Sequence, residues 1–236
     1  ALFIEGIGVS VINSTPEEVM YLSLSRLKAD YQDRQTGQQL EFTIADIQLD
    51  NQQPQAIFPV AISAVLPDEE KPALFISIKS EKRPHQTIRC FEHLVILMQE
   101  LDVHLDEAFL VRLLSMVEAW NDLTSQGQKQ DDTLGDADSP YQYLRSADTA
   151  SFFEGALLYF KVLVIYPIKL RVTYMSSRMA VHNLQKFAGI SRFLDRTGSL
   201  ANLDCAPLNL NGLMLEHPFC SQPELVNRIW QHYTTA

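Results

Sequence analysis

The chain has 236 residues, of which 46% are hydrophobic and 20% charged, enough for a substantial core and well outside the disordered range. Its net charge of −10 makes the bulk of the surface a poor match for nucleic acid. The longest apolar stretches, 155–160 and 162–168, are split by Lys161 and closed by Lys169, short of the about 20 apolar residues that a spanning helix needs.

Three cysteines, Cys90, Cys205 and Cys220, are odd in number and widely spaced, which argues against a disulfide scaffold and for a reducing, cytoplasmic setting. The charge is uneven. Between residues 155 and 203, seven basic residues face Asp195 alone, a net of +6 that leaves −16 for the remainder. This segment suits either an anionic membrane surface or an ordinary solvated face. Beginning at Ala1 rather than Met and ending inside a helical pattern, the chain is expected to be part of a longer protein.

The first half reads as a meander of strands. Met20, Leu22 and Leu24 alternate with polar neighbours; after Arg26 the phase inverts and Leu27, Ala29 and Tyr31 form the apolar set. The next segment mirrors it, with Leu40, Phe42 and Ile44 giving way to Ile47 and Leu49. The intervening stretch 32–39 contains Gly37 and reads as a hairpin loop. Pairing Tyr31 with Leu40 puts Arg26 opposite Ala45, so both inversions fall at one level and predict a bulge or twist crossing both strands.

Further strands are predicted over 58–66, 74–80 and 88–105, with Pro67, Asp68, Pro72 and Pro84 in the turns. In the last of these the apolar set passes from Leu94, Ile96 and Met98 to Leu101, Val103 and Leu105. Asp106 is placed to cap a helix carrying Phe109, Leu110, Leu113, Leu114 and Val117. Residues 124–150 are polar and read as a flexible connection, dividing the chain into 1–123, 124–150 and 151–236.

The most regular pattern comes next. Phe160, Val162, Val164, Tyr166, Ile168, Leu170, Val172 and Tyr174 hold one parity, predicting a strand of about 50 Å, with Pro167 marking an edge or bulge. Residues 179–194 read as a helix, 208–215 as a strand kinked at Gly212, and Ser221 with Glu224 as a capping box opening a final helix. The fold class is therefore mainly β with some α: a long curved antiparallel meander with a few short helices.

No catalytic constellation is present, and the chain is expected not to be an enzyme. Gly6-Ile7-Gly8 is half of a dinucleotide fingerprint inside a strand pattern, and the six histidines do not reach ligand spacing with Cys, Asp or Glu. No cofactor and no metal are expected. A long apolar sheet face must be covered by helices, by a second sheet or by ligand. Periodicity does not separate an ordinary packed core, serving a structural or protein-interaction module, from an open groove.

A resemblance adds to this reading. Residues 6–13, Pro16-Glu17-Glu18, residues 21–24, residues 45–52 and Phe58-Pro59-Val60 resemble, in order, the C-terminal region of the chorein family, the vacuolar protein sorting thirteen proteins. The similarity is looser over 94–114 and 159–170, with Leu215-Glu216-His217-Pro218-Phe219 the best patch in the tail. It implies a segment of a repeating β-groove that conducts glycerophospholipids between organelle membranes at contact sites. The protein would be cytoplasmic and peripherally membrane-associated, with phospholipids and other domains of the parent protein as partners. On this reading Leu22, Leu24, Phe42, Ile44, Val60, Ile62, Phe160, Val162, Val164, Ile168, Leu170 and Val172 line the groove. Lys169, Arg171, Arg178, Lys186, Arg192 and Arg196 are the membrane-surface candidates.

Overall fold

The structure, a computed structural model, describes residues 1–13, 17–65, 71–82, 88–116, 157–176 and 202–235. The connection expected over 124–150 and the helix expected over 179–194 lie outside the described residues.

Among the described residues, twelve strands form one open mixed sheet. Strands β1 (Leu2–Ile12), β2 (Glu18–Asp33) and β3 (Gly37–Asn51) are long and make the first three rows. Every later row is broken in two or three. Strands β4 (Val60–Ala64) and β5 (Leu74–Glu81) share the far edge of β3, β4 against Leu49 and β5 against residues 37–44. Strands β6 (Ile88–Met98) and β7 (Leu101–Asp106) form the fifth row, and β8 (Leu157–Ile165) and β9 (Ile168–Met175) the sixth. Strands β10 (Leu203–Leu210), β11 (Leu213–Glu216) and β12 (Phe219–Ser221) form the seventh.

The meander is not wholly antiparallel: β6 pairs with β8, and β7 with β9, in parallel. Parallel neighbours need a crossover rather than a tight turn, and the chain between Asp106 and Leu157 is long enough to supply one. Residues 107–116 of that span form a helix, α1, which Asp106 caps by accepting the Phe109 N–H at 2.8 Å.

The breaks line up. Arg26 has φ 53° and stands between the pairs Ser25–Asp46 and Leu27–Ile44, opposite Ala45. Glu5 faces Arg26 from the other side, between Ile4–Leu27 and Gly6–Ser25. The Ala73 N–H donates to the Ala45 carbonyl and the Gln99 N–H to the Ala73 carbonyl, carrying the line into rows four and five. It leaves through Tyr166–Pro167 and through Asn211–Gly212, where a Cβ on Gly212 would sit 2.9 Å from the Ile165 carbonyl oxygen. Six of the seven rows thus spend one extra residue at the seam and restart their alternation in the opposite phase, while the fourth row breaks there between Ala64 and Leu74. Because the breaks fall at the same level, one face stays apolar from row to row.

That inversion corrects the uninterrupted strand expected from Phe160 to Tyr174. Pro167 supplies no N–H, so the row divides into β8 and β9. A second phase change falls between Lys161 and Val162, where β6 and the seventh row also deviate. The β5–β6 register shifts between Lys79 and Ser80, and His217 adopts φ 53° and donates its N–H to the Lys161 carbonyl. The buried set of β8 is therefore Leu158, Phe160, Leu163 and Ile165. An ion-pair chain runs along this second line: Lys79 pairs with Glu92, and Lys161 reaches Glu81 at 2.7 Å and Glu92 at 3.8 Å.

The final helix, α2 (Gln222–Thr235), folds back over one end of the apolar face. Leu225 joins a cluster with Leu158, Phe160, Leu163, Ile165, Leu213 and Cys220, and Ile229 and Tyr233 pack against it. Full burial of a leucine contributes about 1.5–3 kcal/mol, so this short stripe is enough to seat the helix. A smaller cluster of Ala64, Ala73 and Leu101, flanked by Ile47, Ile62, Met98 and Leu170, straddles the seam.

Candidate functional site

The most extensive feature of the molecule is the apolar face itself. Its members are cross-strand neighbours across successive rows. Below the seam run Leu24–Ile47, Leu22–Leu49 and Leu49–Ile62, then Ile62–Val103 and Val103–Val172. Above it run Leu27–Ile44, Ala29–Phe42, Phe42–Ile76, Ile76–Ile96 and Ile96–Ile165. Most of these side chains are half-buried rather than buried; Leu27, Ile44 and Ile165 are the exceptions. Among the described residues, α2 packs over the far end of this face, and α1 buries Phe109 to 1% exposure.

The opposite face is polar for most of its extent. Ser23 pairs with Gln48, Lys28 with Thr43, Asp30 with Glu41 and Gln48 with Ser63. Lys28 also reaches Asp30 at 2.9 Å along its strand, and the Asp30 carboxylate keeps the lysine protonated above its ordinary range. Arg171 makes a two-pronged contact with Asp102, Nε to Oδ1 at 2.6 Å and NH2 to Oδ2 at 2.5 Å, with Glu100 at 3.7 Å. The sheet is therefore amphipathic as a whole: one side can take hydrocarbon while the other meets water.

Of the residues expected to line a groove, Leu22, Leu24, Phe42, Ile44, Ile62, Leu170 and Val172 share the apolar face, with Ile168 in the phase of Leu170. Phe160 is buried on it, stacked against Phe91 at 4.7 Å and covered by α2. Val60 sits beyond a register shift, opposite Asp50. Val162 and Val164 lie on the other side, since Leu163 and Ile165 hold the buried positions. Leu163, Ile165, Leu94, Ile96 and Val103 complete the apolar face, and both parities of 162–165 being apolar is what conceals this in the sequence.

Among the basic residues, Arg171 is engaged by Asp102, and Lys169 stands opposite Asn209 on the sixth row. Arg178, Lys186, Arg192 and Arg196 lie outside the described residues. Among the described residues no group of three or more His, Cys, Asp or Glu could hold a metal ion, and no helix is long and apolar enough to cross a membrane.

A polar cluster closes the end of the sheet where β3, β7 and β9 finish. Asp106 accepts from the Ile57 N–H at 3.2 Å and from Asn51 Nδ2 at 3.5 Å, in addition to capping α1. Glu107, 1% exposed, accepts from the Ser176 hydroxyl at 3.3 Å. Burial, helped by the Glu107 charge, pushes the Tyr174 phenol up.

The chain is 28% identical to the intermembrane lipid transfer protein vps13A of Dictyostelium discoideum over 97% of its own length, covering 7% of that protein. It is 28% identical to the intermembrane lipid transfer protein VPS13 of Chaetomium thermophilum over 99% of its length and 7% of the relative. It is 25% identical to the human intermembrane lipid transfer protein VPS13D over 97% of its length and 5% of the relative. The chain thus spans a small fraction of these very long proteins. No protein-family model matches it, and no solved structure does.

Proposed function

The chain belongs to the chorein, or VPS13, family, and on that premise we propose that it is a lipid-holding segment of an intermembrane lipid transfer protein. Glycerophospholipid acyl chains lie along the apolar face of its sheet and pass from row to row, with the headgroups toward water. The observation that carries this reading is the continuity of that face: an apolar set runs along one side of all seven rows across the seam, although the alternation inverts there in every row but the fourth, which breaks instead. Burial of hydrocarbon against such a face is favourable by about 25 cal/mol per Å². The parent protein works at membrane contact sites from the cytoplasmic side, and the basic segment 155–203 gives it an affinity for anionic bilayers.

The experiment is native mass spectrometry of the purified chain. Co-purified phospholipid is expected, and Ile76→Glu, a charge in the middle of the apolar face, removes it while the chain stays folded. Thr43→Glu, on the polar face, leaves the lipid in place. A second reading is favoured by α2, which already seats on Leu158, Phe160 and Leu163: the face is an ordinary core covered by protein. A folded wild-type chain that carries no phospholipid and takes none up from vesicles would establish that reading instead.

A further inference from the structure

The face opposite the apolar one is polar except around the sixth row, where it carries an apolar island. Phe75 pairs with Leu97, Val95 with Val164, and Val164 with Met214, all in the phase opposite to the apolar face. Met214 is 59% exposed and Tyr166 46%. A contiguous apolar patch on an otherwise polar surface marks a site of interaction.

Beside the island the sheet is open. The ladder between rows five and six runs as far as Ile96–Ile165 and resumes at Leu101–Leu170, so residues 97–100 and 166–169 face each other without strand pairing. The Tyr166 N–H donates to the Ile96 carbonyl at 2.9 Å, and Pro167 has no N–H to continue the ladder. The opening is a cavity of about 800 Å³ whose apolar lining includes Phe75, Leu97, Met98 and Tyr166. Lys71, Lys169 and Glu100 also line it. Its volume falls within the range of about 300–1,000 Å³ typical of small-molecule sites. Phe75 and Leu97 belong to the outer island, whereas Met98 packs with Leu101 and Ala73 on the apolar face. The opening therefore draws its lining from both sides of the sheet.

We propose that this opening is a side port that holds one zwitterionic phospholipid, with an acyl chain between rows five and six and the headgroup at the lysines. Lys71 and Lys169 take the phosphate, and Glu100 takes the ammonium, so the mouth carries both signs that such a headgroup carries. The proposal rests on the lipid-holding reading and goes beyond it, placing a discrete site on the face that the groove does not use.

The test is photolabelling of the purified chain with a phosphatidylcholine bearing a diazirine in one acyl chain, followed by peptide mapping. Adducts are expected on Leu97, Tyr166 and their neighbours as well as on the main apolar face. Leu97→Asp, and separately the surface pair Lys71→Glu with Lys169→Glu, each lower the port adducts at least tenfold and leave labelling of the main face unchanged. Labelling confined to the main face in the wild type, or port labelling indifferent to both variants, overturns the port and spares the groove. Absence of labelling anywhere overturns both. A wild-type dimer that Leu97→Asp converts to monomer assigns the island to self-association and also overturns the port.

Discussion

Tyr31 stands directly across from Leu40, and that one pair sets the register of the hairpin down to Met20 and Asn51. It brings Arg26, at φ 53°, opposite Ala45, so that the two strands invert together. The arrangement makes a prediction that independent bulges would not. Deleting Arg26 alone, or Ala45 alone, throws one strand out of phase with its partner and turns its apolar residues to the polar face, costing about 3 kcal/mol or more. Deleting both restores strict alternation in both strands. Urea denaturation should find the double deletion much less destabilising than the sum of the two single ones, because the β2–β3 pairing is regained while the pairings to β1 and to row four stay out of phase.

The phase of β8 gives a second test. Leu163 is fully buried beneath α2, whereas Val164 is half-buried on the opposite face between Val95 and Met214. Leu163→Ala should destabilise the chain by about 2–5 kcal/mol, and Val164→Ala by about 1 kcal/mol or less. Thermal melts of the two variants decide the matter. If Val164 proved the costlier position, the assigned phase of the strand would be wrong.

How much of this was legible beforehand depended on the composition of each row. In β2 and β3 the polar parity is unmistakable, with Ser23, Ser25, Lys28 and Asp30 against Thr43, Asp46 and Gln48, and the inversion can be read residue by residue. The Asp106 cap and the Ser221–Glu224 box are local signals and needed no tertiary information. In β8 both parities are apolar, so alternation carried no phase information, and the inversion at Lys161 arises from pairing with β6 and from His217, distant in sequence. The parallel junction was equally hidden, because strand direction is set by the crossover and leaves no mark on alternation. Whether helices occupy the apolar face could not be read from sequence either; Leu225, Ile229 and Tyr233 show a stripe but not where it lands.

Asp106 supports a third prediction. It is 4% exposed and serves three donors from separate parts of the chain: Phe109, Ile57 and Asn51. Asp106→Ala removes a helix cap and strands two further donors, at a cost of about 2–4 kcal/mol. Asp106→Asn keeps one acceptor oxygen and should lose less than half as much. Chemical denaturation of the pair separates a satisfied polar cluster from a merely space-filling side chain.

The pH response of α2 follows from its N-terminus. Glu224 Oε2 accepts the Ser221 backbone N–H at 2.9 Å, and this bond first, with the Ser221 hydroxyl second, holds the Glu224 carboxyl below the usual carboxylate range. A carboxyl depressed in the folded state contributes stability that is fully present above its unfolded pKa. That contribution is lost as pH falls through the folded value, when protonation removes the acceptor. The seating of α2 on Leu158, Phe160 and Leu163 should therefore loosen in acid, and Glu224→Gln should loosen it already at neutral pH. Melting temperatures of wild type and Glu224→Gln, compared from neutral to acid pH, should differ most at neutrality and converge below the depressed pKa. A gap that stayed constant with pH would mean that the carboxylate charge plays no part in holding the helix down.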